Sequence, residues 1–164
     1  MGGPNPEAVF REFLVAVLLH NEAVADRLGL QPVDIAAAIL LETRGPMSIG
    51  AIAEELGLPS ASATRLVDRL EKAGYVRRVR GAHDRRTVTV ELVEGGLDDY
   101  EAACAASRRH LDAVAAHFRP EQVPAMLEMF RRTAAAYRAA TRELRACGAR
   151  SGRPPAEPAV EPAR

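Results

Sequence analysis

Tryptophan is missing from this chain, aromatics make up only 4% of it, and lysine occurs once, at Lys72. With so few large rings, the core has to be assembled from aliphatic side chains and alanine, a composition that favours closely packed helices. Apolar residues, at 48%, are ample for that. Arginine carries nearly all the positive charge, a bias that can follow from genomic base composition, so an arginine is not by itself a contact. The two cysteines, Cys104 and Cys147, fall in predicted helices without metal-ligand spacing and give no sign of a secreted disulfide framework. No early stretch is long and apolar enough for a signal or membrane helix, because Glu7, Arg11 and Glu12 interrupt it. A cytoplasmic protein without a membrane partner is expected. Neither a Gly-rich phosphate loop, nor a metal-ligand cluster, nor a nucleophile–base pair can be assembled from the sequence. Enzyme, metalloprotein and cofactor readings therefore start without a site.

What the chain does have is concentrated between Ser48 and Val93. Ile49, Ile52, Ala53 and Leu56 recur at i, i+3, i+4 and i+7, one buried stripe on a short helix that Ser48 is placed to cap. Gly57-Leu58-Pro59 stops that helix and opens a second, which runs to about Ala73 and repeats the spacing with Ala63, Leu66, Val67 and Leu70. At ~100° per residue, its opposite face carries Ala61, Arg65, Asp68, Arg69 and Lys72. Two amphipathic helices across a Gly-containing turn predict a helix-turn-helix. Gly74 then ends the second helix. Two β-branched runs, Tyr75–Val79 and Thr87–Val93, flank the polar segment 80–86 and predict a hairpin. From Arg65 to Arg86 there are eight basic and three acidic residues, a surplus of +5, whereas residues 1–64 sum to −5. Charge is segregated onto the element able to enter a groove, the footprint expected of a protein that binds double-stranded DNA.

The residues Gly45-Pro46-Met47-Ser48, Leu56-Gly57-Leu58, the run Thr64 to Arg78 and Asp84-Arg85-Arg86 together resemble the MarR family of winged-helix transcriptional regulators. Asp84 and Arg86 stand as the Asp-x-Arg typical of that family's wing tip. The likeness extends over roughly residues 5–147. Two departures are local: Pro59 stands where the family often has Ser, leaving Ser60 to cap the next helix, and Leu92-Val93-Glu94-Gly95-Gly96 replaces the usual Leu-Thr-Glu-x-Gly. The resemblance implies a mainly α fold with a small β-wing, in which the N- and C-terminal helices pair two copies. It also implies a ligand-responsive regulator, most often a repressor, on a pseudo-palindromic operator. The DNA-binding set is then Ser60, Ser62, Thr64, Arg65, Arg69 and Lys72 on the second helix, with Asp84, Arg85 and Arg86 on the wing. Arg86 is expected in a minor groove, where a narrow A·T tract concentrates negative potential, and Asp84 is expected to orient it. A winged helix that binds another protein and has no operator is the alternative, and the +5 surplus argues against it.

The flanks follow the same pattern. Glu7 to Leu28 predicts a helix with Val9, Phe10, Phe13, Leu14, Val17 and Leu18 as an apolar stripe, and Gln31 to Thr43 a second with Ile35, Ile39 and Leu40 inward. Beyond the wing, a helix from Gly95-Gly96 to about Phe118 and another from Glu121 to Cys147 carry apolar residues at alternating three- and four-residue spacings, as long helices packing at shallow angles require. The expected organisation is a dimerisation helix over 5–30, the winged helix-turn-helix over 31–94, further dimerisation helices over 95–147, and a Pro-rich tail without periodicity over 148–164. A small-molecule effector is implied by the resemblance, with His20 as a weak candidate ligand because the family's effector pocket forms near that helix. His110 and His117 lie seven residues apart, ~10 Å along a helix axis, too far for one metal.

Overall fold

The computed structural model describes residues 3, 5–80 and 88–151. Helix α1 spans Pro6–Leu28, started by Asn5, whose Oδ1 accepts from the Glu7 amide at 3.0 Å. Gly29 ends it in the left-handed region (φ 64°), where a glycine pays no Cβ penalty. Helix α2 (Pro32–Arg44) begins on a proline, whose missing N–H is no loss at that position. Strand β1 is only Met47–Ser48, followed by α3 (Ile49–Leu56) and α4 (Ser60–Lys72). Strands β2 (Val76–Arg80) and β3 (Val88–Leu92) come next, then α5 (Asp98–Ala115), a 3-10 turn at Pro120–Gln122 and α6 (Val123–Ser151).

The sheet is antiparallel in the order β1-β3-β2. Val76 pairs with Leu92 and Arg80 with Val88, while Met47 and Ser48 pair with Val90 and Thr89. Strand β1 is the element the sequence did not announce. Two residues show no alternation, and Ser48 is also the cap of α3, its Oγ accepting from the Ala51 amide at 3.1 Å.

Under this sheet lies the main core: Ala37, Leu41, Ile52, Leu66, Val67, Leu70, Tyr75, Val76 and Val90. All four residues expected on the inner face of α4, Ala63, Leu66, Val67 and Leu70, are buried. A second cluster joins Val24 and Ala25 of α1 to Ile35 of α2 and Cys104 of α5. On α2 the inward residues are Ile35, Ala37, Ala38 and Leu41, with Ile39 and Leu40 only half-buried.

Three helix ends differ from expectation. Helix α5 starts at Asp98 because Gly95 (φ 71°) and Gly96 make a tight joint first. A Cβ on Gly96 would lie 2.7 Å from the Tyr75 carbonyl oxygen and 2.8 Å from that of Val93. Helix α5 stops at Ala115, where the amides of His117 and Phe118 bond three residues back and tighten the chain. Helix α6 continues past Cys147 to Ser151, into the first residues expected to be tail.

Two units divide the chain after His110, within α5. The first holds both clusters. In the second, none of the residues 111–147 is fully buried, and Leu111, Val114, Phe118, Leu127, Phe130, Tyr137 and Leu144 are exposed. Exposed too are Val9, Phe10, Phe13, Val17 and Leu18 on α1. Among the described residues, no helix is long and apolar enough to cross a membrane.

Candidate nucleic-acid interface

Because its apolar side is sunk in the core, α4 turns Ser60, Thr64, Arg65 and Lys72 outward, all exposed, with Ser62 half-buried beside them. Pro59 precedes the helix and no side chain caps it. The expectation that Ser60 caps is not met: Ser60 is already the first helical residue, and the amides of Ser62 and Ala63 bond the Pro59 carbonyl at 2.9 and 3.0 Å. Pro59, Ser60 and Ala61 at the positive end of α4 are exposed, an arrangement that suits a phosphate. Thr64 donates its hydroxyl to the Ser60 carbonyl at 3.0 Å, leaving only its lone pairs for an outside donor. Arg65 makes one long contact, from Nη2 to the Ser62 hydroxyl at 3.5 Å on the same helix, and is exposed.

The other cations behave differently. Arg69 donates Nε to Asp34 Oδ2 at 3.1 Å and Nη2 to Asp34 Oδ1 at 2.6 Å, with a further bond from Nη2 to Gln31 Oε1 at 3.2 Å. The hydrogen bond to Asp34 raises the Arg69 pKa, against the opposing pull of burial. Arg78, on β2, donates Nη2 to Asp68 at 2.5 Å and Nη1 to Glu71, while its backbone amide bonds Glu71 Oε1 at 3.2 Å. Hydrogen bonding to Asp68 is the largest cause of its raised pKa. Arg77 donates Nε to Glu91 at 2.7 Å across the two strands. Of the six cations described between residues 65 and 80, Arg69, Arg77 and Arg78 are thus neutralised within the chain. Arg65, Lys72 and Arg80 have no carboxylate partner among the described residues.

Arg69 was expected on the DNA face; its guanidinium is paired with Asp34 while its side chain remains 41% exposed. The surplus of +5 already subtracts Asp68 and Glu71, but Asp34 and Glu91 lie outside that count, so it overstates what the surface offers. Asp84, Arg85 and Arg86 lie outside the described residues. His20 is exposed on α1. A depression of about 330 Å3 runs along α4, lined by Gln31, Val33, Leu58, Ser62, Arg65, Leu66 and Arg69.

Sequence reasoning missed Asp34 altogether. One signal was available: Asp34 stands three residues after Gln31 at a helix start, and its Oδ2 accepts from the Gln31 amide at 3.0 Å, a capping arrangement. Its arginine, 35 residues away, left no trace in the local pattern.

A three-stranded antiparallel sheet closing on a helix-turn-helix, with the second helix's polar face outward, defines a winged helix-turn-helix. Residues 28–87 match the model of the MarR family. The HTH-type transcriptional regulator YcgE of Bacillus subtilis, described as uncharacterized, is 44% identical over 82 residues, 50% of this chain and 53% of its own length. The chain spans about half the length of the curated relatives it matches. Those relatives are named as HTH-type transcriptional regulators. A MarR family protein from Bacillus stearothermophilus superposes with a TM-score of 0.64 at 24% identity, over 80% of this chain and 91% of that one. A variant of S. aureus MepR, solved bound to an oligodeoxyribonucleotide, gives a TM-score of 0.58 at 14% identity, over 82% and 99% of the two chains. These two likenesses concern the fold.

Proposed function

We propose that the chain is a DNA-binding transcriptional regulator that acts as a homodimer on a pseudo-palindromic operator, as a ligand-responsive repressor. The observation that carries this reading is the outward face of α4, where Ser60, Ser62, Thr64, Arg65 and Lys72 stand together on a helix whose other side is wholly committed to the core. The relative bound to an oligonucleotide supports DNA as the partner. In this reading α4 lies in a major groove and the wing, carrying Arg85 and an Arg86 oriented by Asp84, reaches the adjacent minor groove. The exposed apolar residues of α1, α5 and α6 support a second copy as their cover, since monomers seldom leave so many large apolar side chains in water. Linkage requires any effector to bind the DNA-released state better than the bound one.

The test is selection of bound duplexes from a random pool by the purified chain. Two symmetric reading helices call for a pseudo-palindrome with half-sites about one turn, ~10 bp, apart. Recovery of sequence-independent, salt-sensitive binding alone would overturn the operator. On the selected site Arg65→Ala is expected to cost ~1–3 kcal/mol and much less on random DNA, because in this reading Arg65 reaches base edges. Arg86→Ala should weaken both and lower the salt slope by about one.

A further inference from the structure

Asp34 is wholly buried, with a side-chain exposure of 0%, and it faces an arginine whose side chain is 41% exposed. A carboxylate taken out of water without a counter-charge is strongly unfavourable, so Arg69 is held to it. The pairing is bidentate, Nε to Oδ2 and Nη2 to Oδ1, and Gln31 closes it from both sides, donating its amide to Asp34 Oδ2 and accepting Arg69 Nη2 at its side-chain oxygen. The apolar underside of α4 resists lifting, but dispersion contacts are weakly directional and leave the helix free to roll or slide by fractions of an ångström. A planar fork on a fixed carboxylate removes that freedom. It also occupies the edge of the guanidinium that would otherwise read a guanine or clamp a phosphate, leaving only Nη1.

We infer that Arg69 is a positioning residue that sets α4 against α2 through Asp34, and that it does not neutralise a phosphate. The inference rests on the DNA-reading role of α4. It reassigns one of the cations on that helix and makes two residues away from the reading face, Gln31 and Asp34, determinants of operator specificity. Arg69→Lys separates the two roles, because an ammonium serves a phosphate as a point charge but cannot reproduce the two parallel bonds of the fork on Asp34.

The experiment titrates the full chain and the variants Arg69→Lys, Arg69→Gln and Asp34→Asn against the selected operator and a scrambled duplex. Three salt concentrations are used, and the folded fraction is measured by circular dichroism. Arg69→Lys and Asp34→Asn are each expected to lower operator affinity by about tenfold per folded molecule, on the scale of a lost charge-assisted bond. Affinity for the scrambled duplex and the salt slope should stay at their wild-type values, a split that simple loss of stability would not produce. Wild-type affinity in Arg69→Lys, together with a salt slope lowered by about one in Arg69→Gln, would overturn the inference, as would tighter operator binding by Asp34→Asn. Should Asp34→Asn not fold, Arg69→Lys decides alone. A wild-type chain that selects no sequence overturns the DNA reading itself and this inference with it.

Discussion

Helices α4 and α6 are written in the same apolar code and meet opposite fates. Helix α4 places Ala63, Leu66, Val67 and Leu70 at helical spacing, and all four are buried. Helix α6 places Val123, Leu127, Phe130 and Tyr137 at the same kind of spacing, yet Leu127, Phe130 and Tyr137 are exposed and none of its residues through Cys147 is fully buried. Periodicity states that a stripe is to be covered. It does not state by what. For α4 the cover is the rest of its own unit, whose β-strands and short helices converge on it. For α6 we have proposed a second copy of the chain.

The comparison breaks most visibly if α6 is disarmed. Leu127→Asp with Phe130→Asp is expected to yield monomers or insoluble protein, because burying either carboxylate in an apolar seam is prohibitive. Light scattering that showed an unchanged dimer would remove α6 from the interface. Next in size is truncation on the other helix. Leu70→Ala, at a site with 0% exposure, is expected to lower stability by about 2–5 kcal/mol, read as a fall in urea midpoint at unchanged slope. The same truncation at Leu127, 74%-exposed Leu144 being its neighbour in kind, should matter only as far as dimerisation does, and so should depend on protein concentration.

A smaller effect probes the joint at the end of the wing. Gly96→Ala forces a Cβ to within 2.7 Å of a backbone oxygen, and relief of that overlap should cost about 1–3 kcal/mol in the same urea experiment. Stability equal to wild type would mean that the joint opens freely.

The smallest effect is titration of Tyr100. Burial, followed by a hydrogen bond with Cys104, pushes its pKa from 10.0 up to about 12. The neutral phenol is thus favoured in the folded state. Its contribution to stability is complete below pH 10 and is lost as the pH rises through 12. Absorbance at the phenolate band should show a late ionisation step, and Tyr100→Phe should remove it.

Much of this architecture was legible in the chain before any coordinates. The four core residues of α4, the cap at Ser48, the glycine stops at Gly29 and Gly57 and the pairing of two β-branched runs all rest on short-range rules, and they appear where the spacing puts them. What was not legible depends on distant partners. Strand β1 exists because Val90 and Thr89 come alongside Met47 and Ser48. Asp34 is buried because Arg69 arrives from another helix. Arg78 is unavailable to a ligand because Asp68 and Glu71 face it. A charge count over 65–86 subtracts Asp68 and Glu71 but not Asp34, and only the fold shows that Arg69 is answered from outside the stretch.

The joint between wing and α5 has a further consequence for anyone wishing to exchange reading heads between proteins of this shape. The Gly96 amide bonds the Val93 carbonyl at 2.8 Å, the Val93 amide bonds the Tyr75 carbonyl at 3.0 Å, and the Tyr75 amide bonds the Leu70 carbonyl at 2.9 Å. This ladder runs from the threshold of α5 to the last turn of α4 through main chain alone. Side-chain changes leave it intact, apart from those at the glycine itself. A graft that carries residues 31–96 as one cassette keeps every rung, whereas a cut placed at the more obvious loop after β3 severs the ladder at its middle and sets the new helix adrift.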